Sequence, residues 1–243
     1  MEDAGYLSRQ GAWENLLAII AEQGLRPGDR LPPERELSER WSLSRGTLRS
    51  AVAALVREGR LYTLHGVGTF VAAPRFERSL QGLESLSESV ARSGRRLSTS
   101  LLFAREVPCD AAFCTAFALP KGAEMTEIIR LRRIDDCPSF IETAYVPLTL
   151  APELACRMGD DMSLYGVLES EYAIALRDGE QRIGITYASD EESRLLGVRL
   201  GAPLFWVESK ARDAEGRLIE FCHAVIRPDK VSMSSVLRGG EHG

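Results

Sequence analysis

The sequence predicts an α+β chain of two domains, an N-terminal winged helix-turn-helix followed by a mixed domain of sheet and helix. Three observations predict it. Residues 31–71 carry two helical patterns followed by two alternating runs around a glycine-containing tip. Beyond residue 80 the grammar changes to strands and hairpins interleaved with helices. The length, 243 residues with 44% hydrophobic and 27% charged, suffices for two separate cores and excludes a disordered chain.

The elements follow in order. Trp13, Leu16, Leu17 and Ile20 mark one face of a first helix that ends near Gly24, and Leu25 to Gly28 turn the chain toward Leu31. Pro32 and Pro33 suit a helix start, because proline lacks an amide that the first turn leaves unpaired anyway; Leu37 and Trp41 then fall one turn apart. Ser44 is a good N-cap for a longer helix with Leu48, Val52, Leu55 and Val56 at helical intervals, closed by Gly59. On another face near its N-terminus sit Arg45 and Arg49, one turn apart, with Thr47 beside them. That is where a recognition helix meets base edges, and arginine's planar fork matches the guanine O6/N7 pair. Arg60 to Leu64 and Thr69 to Val71 alternate as two strands around His65-Gly66-Val67-Gly68, whose glycines permit close backbone approach to DNA.

These residues carry a resemblance. L-P-x-E-R-E-L from Leu31, S-R-x-T-L-R from Ser44, E-G-x-L from Glu58 and G-x-G-T-F-V from Gly66 resemble the GntR family of bacterial transcription regulators. The resemblance implies DNA contacts at Arg35, Arg45, Thr47, Arg49, His65, Gly66 and Gly68.

The remaining chain is acidic. Residues 1–75 hold ten Lys/Arg against nine Asp/Glu, so the total of -5 leaves six net negative charges beyond them. Any DNA-binding surface must be a local patch with salt-dependent affinity. The acidic start Met1-Glu2-Asp3 is wrong for a signal peptide and no apolar run is long enough to span a membrane, so a cytoplasmic protein is expected. Five cysteines, an odd number with no C-x-x-C, read as reduced and mostly buried, with no metal and no cofactor.

Residues 1–73 form the predicted DNA-binding domain, 74–81 a linker that overlaps the polar, proline-containing stretch from Ala72 to Ser79, and 82–238 the second domain. There Gly82 to Gly94 reads as a helix, Thr99 to Val107 as a strand and Asp110 to Leu119 as a helix. Met125 to Ile134 and Phe140 to Pro147 flank a turn at 135–138; Leu204 to Arg212 and Leu218 to Arg227 flank one at 213–216. Each hairpin follows a Gly-Ala pair and places a glutamate, Glu142 or Glu220, seven residues after a turn aspartate, which points to an internal duplication. Between them Ser163 opens a helix to Tyr172, Leu176 to Tyr187 reads as a strand, and Ser189-x-x-Glu192 is a capping box.

Arg130 and Arg132 share one strand face with Ile128 and Ile134. Buried arginines need an anion, a side-chain carboxylate in a structural ion pair or a ligand, unless this face is simply solvated. Spacing leaves both open, and Tyr165 likewise reads as pocket or as core. The segment R-L-R-x-x-x-D-x-P-x-x-x-E from Arg130, S-L-Y from Ser163, L-G-V-x-x-G-A-P-L from Leu196 and G-R-x-I-E from Gly216 resemble the effector-binding UTRA domain of the HutC subfamily. The resemblance implies a chorismate-lyase-like fold and an effector site at Arg130, Arg132, Glu142, Ser163, Tyr165 and Glu220, with Ser85 and Ser87 near the first helix. Two guanidinium forks and a serine at a helix start suit a phosphate, phosphonate or carboxylate. The chain departs from relatives at Leu86 and Ile226, where they have aromatics, so the aromatic side of the pocket is expected to differ.

An enzyme is not expected. The chain has no G-x-S-x-G, H-E-x-x-H or phosphate loop, and its histidines fall at the wing (His65), in a strand (His223, read as satisfied there) and in the tail (His242). The expected protein is a repressor, a homodimer on a palindromic operator in double-stranded DNA, released by a small anionic effector. The alternatives are a constitutive DNA-binding dimer without effector and lyase-like activity in the second domain.

Overall fold

A computed structural model of the chain describes residues 2–82 and 84–236, with side chains from residue 10 onward. The expected domain end at 238 and His242 lie outside these residues. Two compact units divide at Arg75/Phe76.

The first unit holds α1 (Glu2–Glu22), α2 (Glu34–Arg40), α3 (Arg45–Arg57) and an antiparallel hairpin of β1 (Leu61–Leu64) and β2 (Gly68–Val71). Leu48, Ala51, Val52 and Leu55 of α3 repeat at three and four residues, so they share one face and are buried with Leu16, Leu37 and Leu61. Ser44 caps α3 by accepting the Thr47 amide at 3.1 Å. The buried stripe of α1 runs through Ala12, Leu16 and Ile19; Trp13, Leu17 and Ile20 flank it and are only partly buried. The expected face is thus rotated slightly, because Trp13 turns its indole N–H outward to donate to Glu58 at 3.1 Å. Gly59 has φ +70 and faces the Arg75 guanidinium so closely that a Cβ there would lie 2.3 Å from it.

The second unit holds β3 (Phe76–Ser79), α4 (Leu86–Arg92), β4 (Leu97–Pro108), α5 (Ala111–Ala116), β5 (Glu124–Ile134), β6 (Cys137–Pro147), α6 (Leu154–Arg157), α7 (Leu164–Tyr172), β7 (Asp178–Tyr187), α8 (Asp190–Leu196), β8 (Pro203–Arg212), β9 (Leu218–Ile226) and β10 (Val231–Ser234). Six strands form an antiparallel sheet in the order β4-β5-β6-β9-β8-β7. The element order helix-strand-helix-strand-strand occurs twice, and the two copies meet where β6 pairs with β9. One face of the sheet packs against α4, α6, α7 and the β3–β10 pair; α5 and α8 cover the other.

Three local expectations change. Phe76 to Ser79, read as connector, is a strand paired in parallel with Val231–Ser234, its anchor the buried Phe76. That partner lies some 150 residues on, beyond the reach of any local pattern. The first hairpin turn shrinks to Asp135-Asp136, both at positive φ, so β6 begins at Cys137. No described cysteine is buried: Cys156 is exposed and the other four are half-exposed. Cys222, for one, faces an open cavity rather than packed core. Among the described residues no helix is long and apolar enough to cross a membrane, and no His/Cys/Asp/Glu cluster has metal-site geometry.

Candidate functional site

Two regions gather the sequence-predicted residues, one in each unit. In the first unit Arg45 and Arg49 project from the N-terminal half of α3 into solvent, and Arg35 does so from α2. Their ion pairs are loose and exposed, Arg35 with Glu39 at 3.4 Å and Arg49 with Glu34 at 3.9 Å. Such pairs contribute little and leave both guanidinium groups able to turn to phosphate or base. Thr47 is half-buried, and its hydroxyl already bonds that of Ser44 at 2.8 Å, so it shapes the helix start as well as the surface. His65 and Gly66 lie exposed at the wing tip. Gly68 has φ +148, and a Cβ there would approach Arg30 Nε to 2.5 Å, so the wing itself requires glycine at this position.

In the second unit a cavity of about 460 Å³ opens on the sheet face beneath α4 and α7. That volume suits a small metabolite. Arg130 and Arg132 project into it from β5, each 4% exposed, between the buried Ile128 and Ile134. Arg130 lies directly opposite Glu142 in the β5–β6 ladder. Glu142 Oε2 accepts from Arg130 at 3.0 Å and from Arg132 at 3.1 Å. Arg132 also donates to Ser87 Oγ at 2.8 Å and Thr99 Oγ1 at 3.3 Å, whereas buried Arg130 Nε has no partner. Burial alone would raise the Glu142 pKa, but Arg132 and Arg130 hold it at about 2.

Glu220 is the other buried carboxylate, and it behaves differently. Its turn is longer, spanning 213–217, so an equal spacing from the turn aspartate brings Glu220 opposite Ala211 instead of an arginine. Its partner is the Tyr165 hydroxyl, which donates to Oε2. Burial raises the Glu220 pKa despite that bond and the charge of Arg130, and burial next to Glu220 pushes the Tyr165 phenol well up. A carboxyl with a raised folded-state pKa lowers stability as pH rises through the window above its unfolded value of about 4.5. Glu220→Gln, which mimics the protonated form, is therefore expected to flatten the decline of melting temperature as pH rises above about 4.5. A variant with the wild-type slope would show that Glu220 ionises without cost.

The remaining predicted residues divide. Ser163 and Ser85 line the cavity as N-caps of α7 and α4, accepting the amides of Gly166 at 3.3 Å and Glu88 at 3.2 Å; the Ser85 hydroxyl is further engaged by Glu88. Leu86 lines the cavity where an aromatic was expected in relatives, but Ile226 is fully buried in the core with Phe140 and Val231 and does not reach it. His223 is not satisfied as expected: it sits on the opposite sheet face beside the Trp206 ring, which offers no acceptor, and its buried Nε2 is unpartnered. Arg78 of β3 and Thr99 of β4 border the site and were missed. The alternation of Phe76 and Arg78 was the one local sign of a strand.

The comparisons bear on both regions. Residues 9–71 match the family of bacterial regulatory proteins named gntR, and residues 92–232 match the UTRA domain. The chain belongs to the GntR family. The HTH-type transcriptional repressor NagR of Bacillus subtilis is 31% identical over 217 residues, 89% of each chain. The mannosyl-D-glycerate transport/metabolism system repressor MngR of Escherichia coli is 26% identical over 86% of this chain and 87% of its own. The crystal structure of PhnF from Mycobacterium smegmatis superposes with a TM-score of 0.70 at 25% identity, covering 94% of this chain and all of that one. This GntR-family protein is a DNA-binding transcription regulator with an N-terminal helix-turn-helix and a C-terminal UTRA domain, and its family comprises regulators rather than enzymes.

Proposed function

We propose that this regulator is a repressor whose cavity binds a small anionic metabolite, a sugar phosphate, phosphonate or carboxylate, and that binding releases it from its operator. The observation that carries the reading is the pair of buried guanidinium groups sharing one carboxylate. Glu142 neutralises one positive charge of two, and Arg130 Nε remains without a partner in a cavity large enough for a ligand. The similar repressors NagR and MngR support the direction of control. Two-fold DNA half-sites require a two-fold protein, so the active form is a homodimer on a palindromic operator, held by its second domains. Arg35, Arg45, Thr47, Arg49 and the wing contact DNA, and the segment 72–82 transmits effector binding to them.

A thermal-shift screen of phosphosugars, phosphonates and small carboxylates, run in phosphate-free buffer, tests this reading. A ligand at a hundred times its dissociation constant adds about 2.7 kcal/mol of stability, which such a screen resolves. Arg132→Ala is expected to keep operator binding and lose both the shift and the release from DNA. An unchanged response would take Arg132 out of the site. One observation favours a second reading: Glu142 bonds both arginines, as a purely structural cluster would. A screen in which no compound shifts the wild type would favour that reading, with the second domain serving only to dimerise.

A further inference from the structure

DNA reading and effector binding give no role to the cysteines, yet two of them are neighbours. Asp110 caps α5 by accepting the Phe113 amide at 2.8 Å, with Cys109 immediately before it and Cys114 just past the first turn. Apolar side chains commonly close over a helix start at these two positions. Here both positions hold thiols. Cys114 Sγ donates to the carbonyl oxygen of Cys109 at 3.4 Å and to that of Pro120 at 3.6 Å, so it lies over the main chain of Cys109 itself. Cys109 Sγ donates to the Asp110 carbonyl at 3.6 Å. The Cys109 thiol is pushed up to about 12, first by burial and then by the Cys114 thiol beside it.

Both thiols are half-exposed, so a small oxidant reaches them from solvent. The other three cysteines stand apart. Cys156 is exposed on α6, and Cys137 starts β6 beside Arg227. Cys222 lines the cavity on the opposite face of the sheet from α5, where burial and Glu220 push its thiol well up. A raised thiol is a poor nucleophile.

We propose that Cys109 and Cys114 are a site of reversible oxidation, joined as a disulfide by hydrogen peroxide or another hydroperoxide. The Cys114 thiolate attacks one peroxide oxygen. The O–O bond breaks, the departing hydroxide takes up the proton that Cys114 released, and Cys114 becomes a sulfenic acid with one water formed. The sulfur of Cys109 then attacks that of Cys114 and displaces hydroxide, which leaves with the Cys109 proton as a second water. Together the sulfurs lose two electrons and the peroxide gains them. Cys109 is the resolving sulfur because it holds its proton more tightly than an ordinary cysteine.

The bridge ties the residue before the cap to the body of α5. That helix packs Phe113 against Tyr145 of β6 and Phe221 of β9, with ring centroids 4.9 Å and 5.0 Å away. Oxidation therefore holds α5 more firmly on this face of the sheet. The inference is independent of the effector reading, because the cavity lies on the other face.

The test treats the reduced, full-length protein with hydrogen peroxide, alkylates the remaining thiols under denaturing conditions and maps peptides by mass spectrometry. Cys156→Ser is run alongside, so that links between molecules through the exposed Cys156 are recognised. The expected result is a loss of two hydrogens from the stretch holding Cys109 and Cys114, restored by dithiothreitol. Dimedone should trap a sulfenic acid on Cys114 in Cys109→Ser about tenfold more than on Cys109 in Cys114→Ser. Amide exchange in α5 should slow by about tenfold on oxidation and recover on reduction. The bridge is read on the native pair, so a serine variant that folds poorly does not decide it. A bridge mapped only to other cysteines, or stable oxygen adducts on both sulfurs without a bridge, overturns the proposal. Equal or reversed trapping overturns the assignment of Cys114 as the attacking sulfur, and unchanged exchange overturns the pinning of α5.

Discussion

Glu142→Ala is expected to destabilise the second unit by about 3–5 kcal/mol, the largest effect of any single substitution in its site. Glu142 is 5% exposed and, among the described residues, is the only carboxylate bonded to either Arg130 or Arg132, themselves 4% exposed. Removing it leaves two buried guanidinium groups side by side, each paying desolvation and each repelling the other. Truncating one partner of a buried pair costs more than the pair contributes, because the stranded charge cannot return to water. Native-state hydrogen exchange of the β5 and β6 amides reads the loss in this unit without assuming that both units unfold together. A loss below about 1 kcal/mol would mean that water reaches the arginines freely. The pH dependence is a second signature. Glu142 is held at about 2 against an ordinary 4.5, so its contribution is present above about 4.5 and is lost as pH falls toward 2. The variant should lack that acid-sensitive component, and added phosphate should restore part of its stability.

Arg49→Ala is expected to weaken operator binding by about 1–3 kcal/mol while leaving effector binding intact. Arg49 is exposed on α3, and its 3.9 Å pair with Glu34 is too long and too solvated to matter to folding. A change of stability beyond about 0.5 kcal/mol is therefore not expected. Anisotropy titrations at two salt concentrations separate the roles open to it. Loss of discrimination between operator and mismatched DNA marks a base contact; a uniform loss with a shallower salt slope marks a phosphate contact. Unchanged affinity would move the DNA-reading surface off this face of α3.

How much of this was legible depended on how local the signal was. The helix-turn-helix was readable because each device in it is short-range: a cap at Ser44, apolar residues at helical spacing from Leu48 to Leu55, a glycine at Gly59, and a hairpin closed over three residues, 65–67. The same holds for the hairpins of the second unit and for the facing of Arg130 and Arg132, which strand alternation dictates. Errors appeared where a partner was distant. Phe76 to Ser79 looked like linker because its ladder partner, Val231 to Ser234, is far along the chain. Ile226 was assigned to the pocket by motif, whereas packing against Phe140 and Val231 places it in the core.

The two glutamates show the division most clearly. The sequence by itself determined that Glu142 and Glu220 stand at equal distances from their turns, each in a strand of a repeated hairpin. Only the tertiary structure decided that Glu142 meets two arginines and stays charged, while Glu220 faces Ala211 and bonds a tyrosine, and that Arg78 joins them from an unforeseen strand. The physical reason is range. Backbone propensity, capping and alternation act over a few residues and are written in order along the chain. Register across a sheet and the electrostatic fate of a buried carboxylate depend on which distant groups the closed fold brings within a few ångströms.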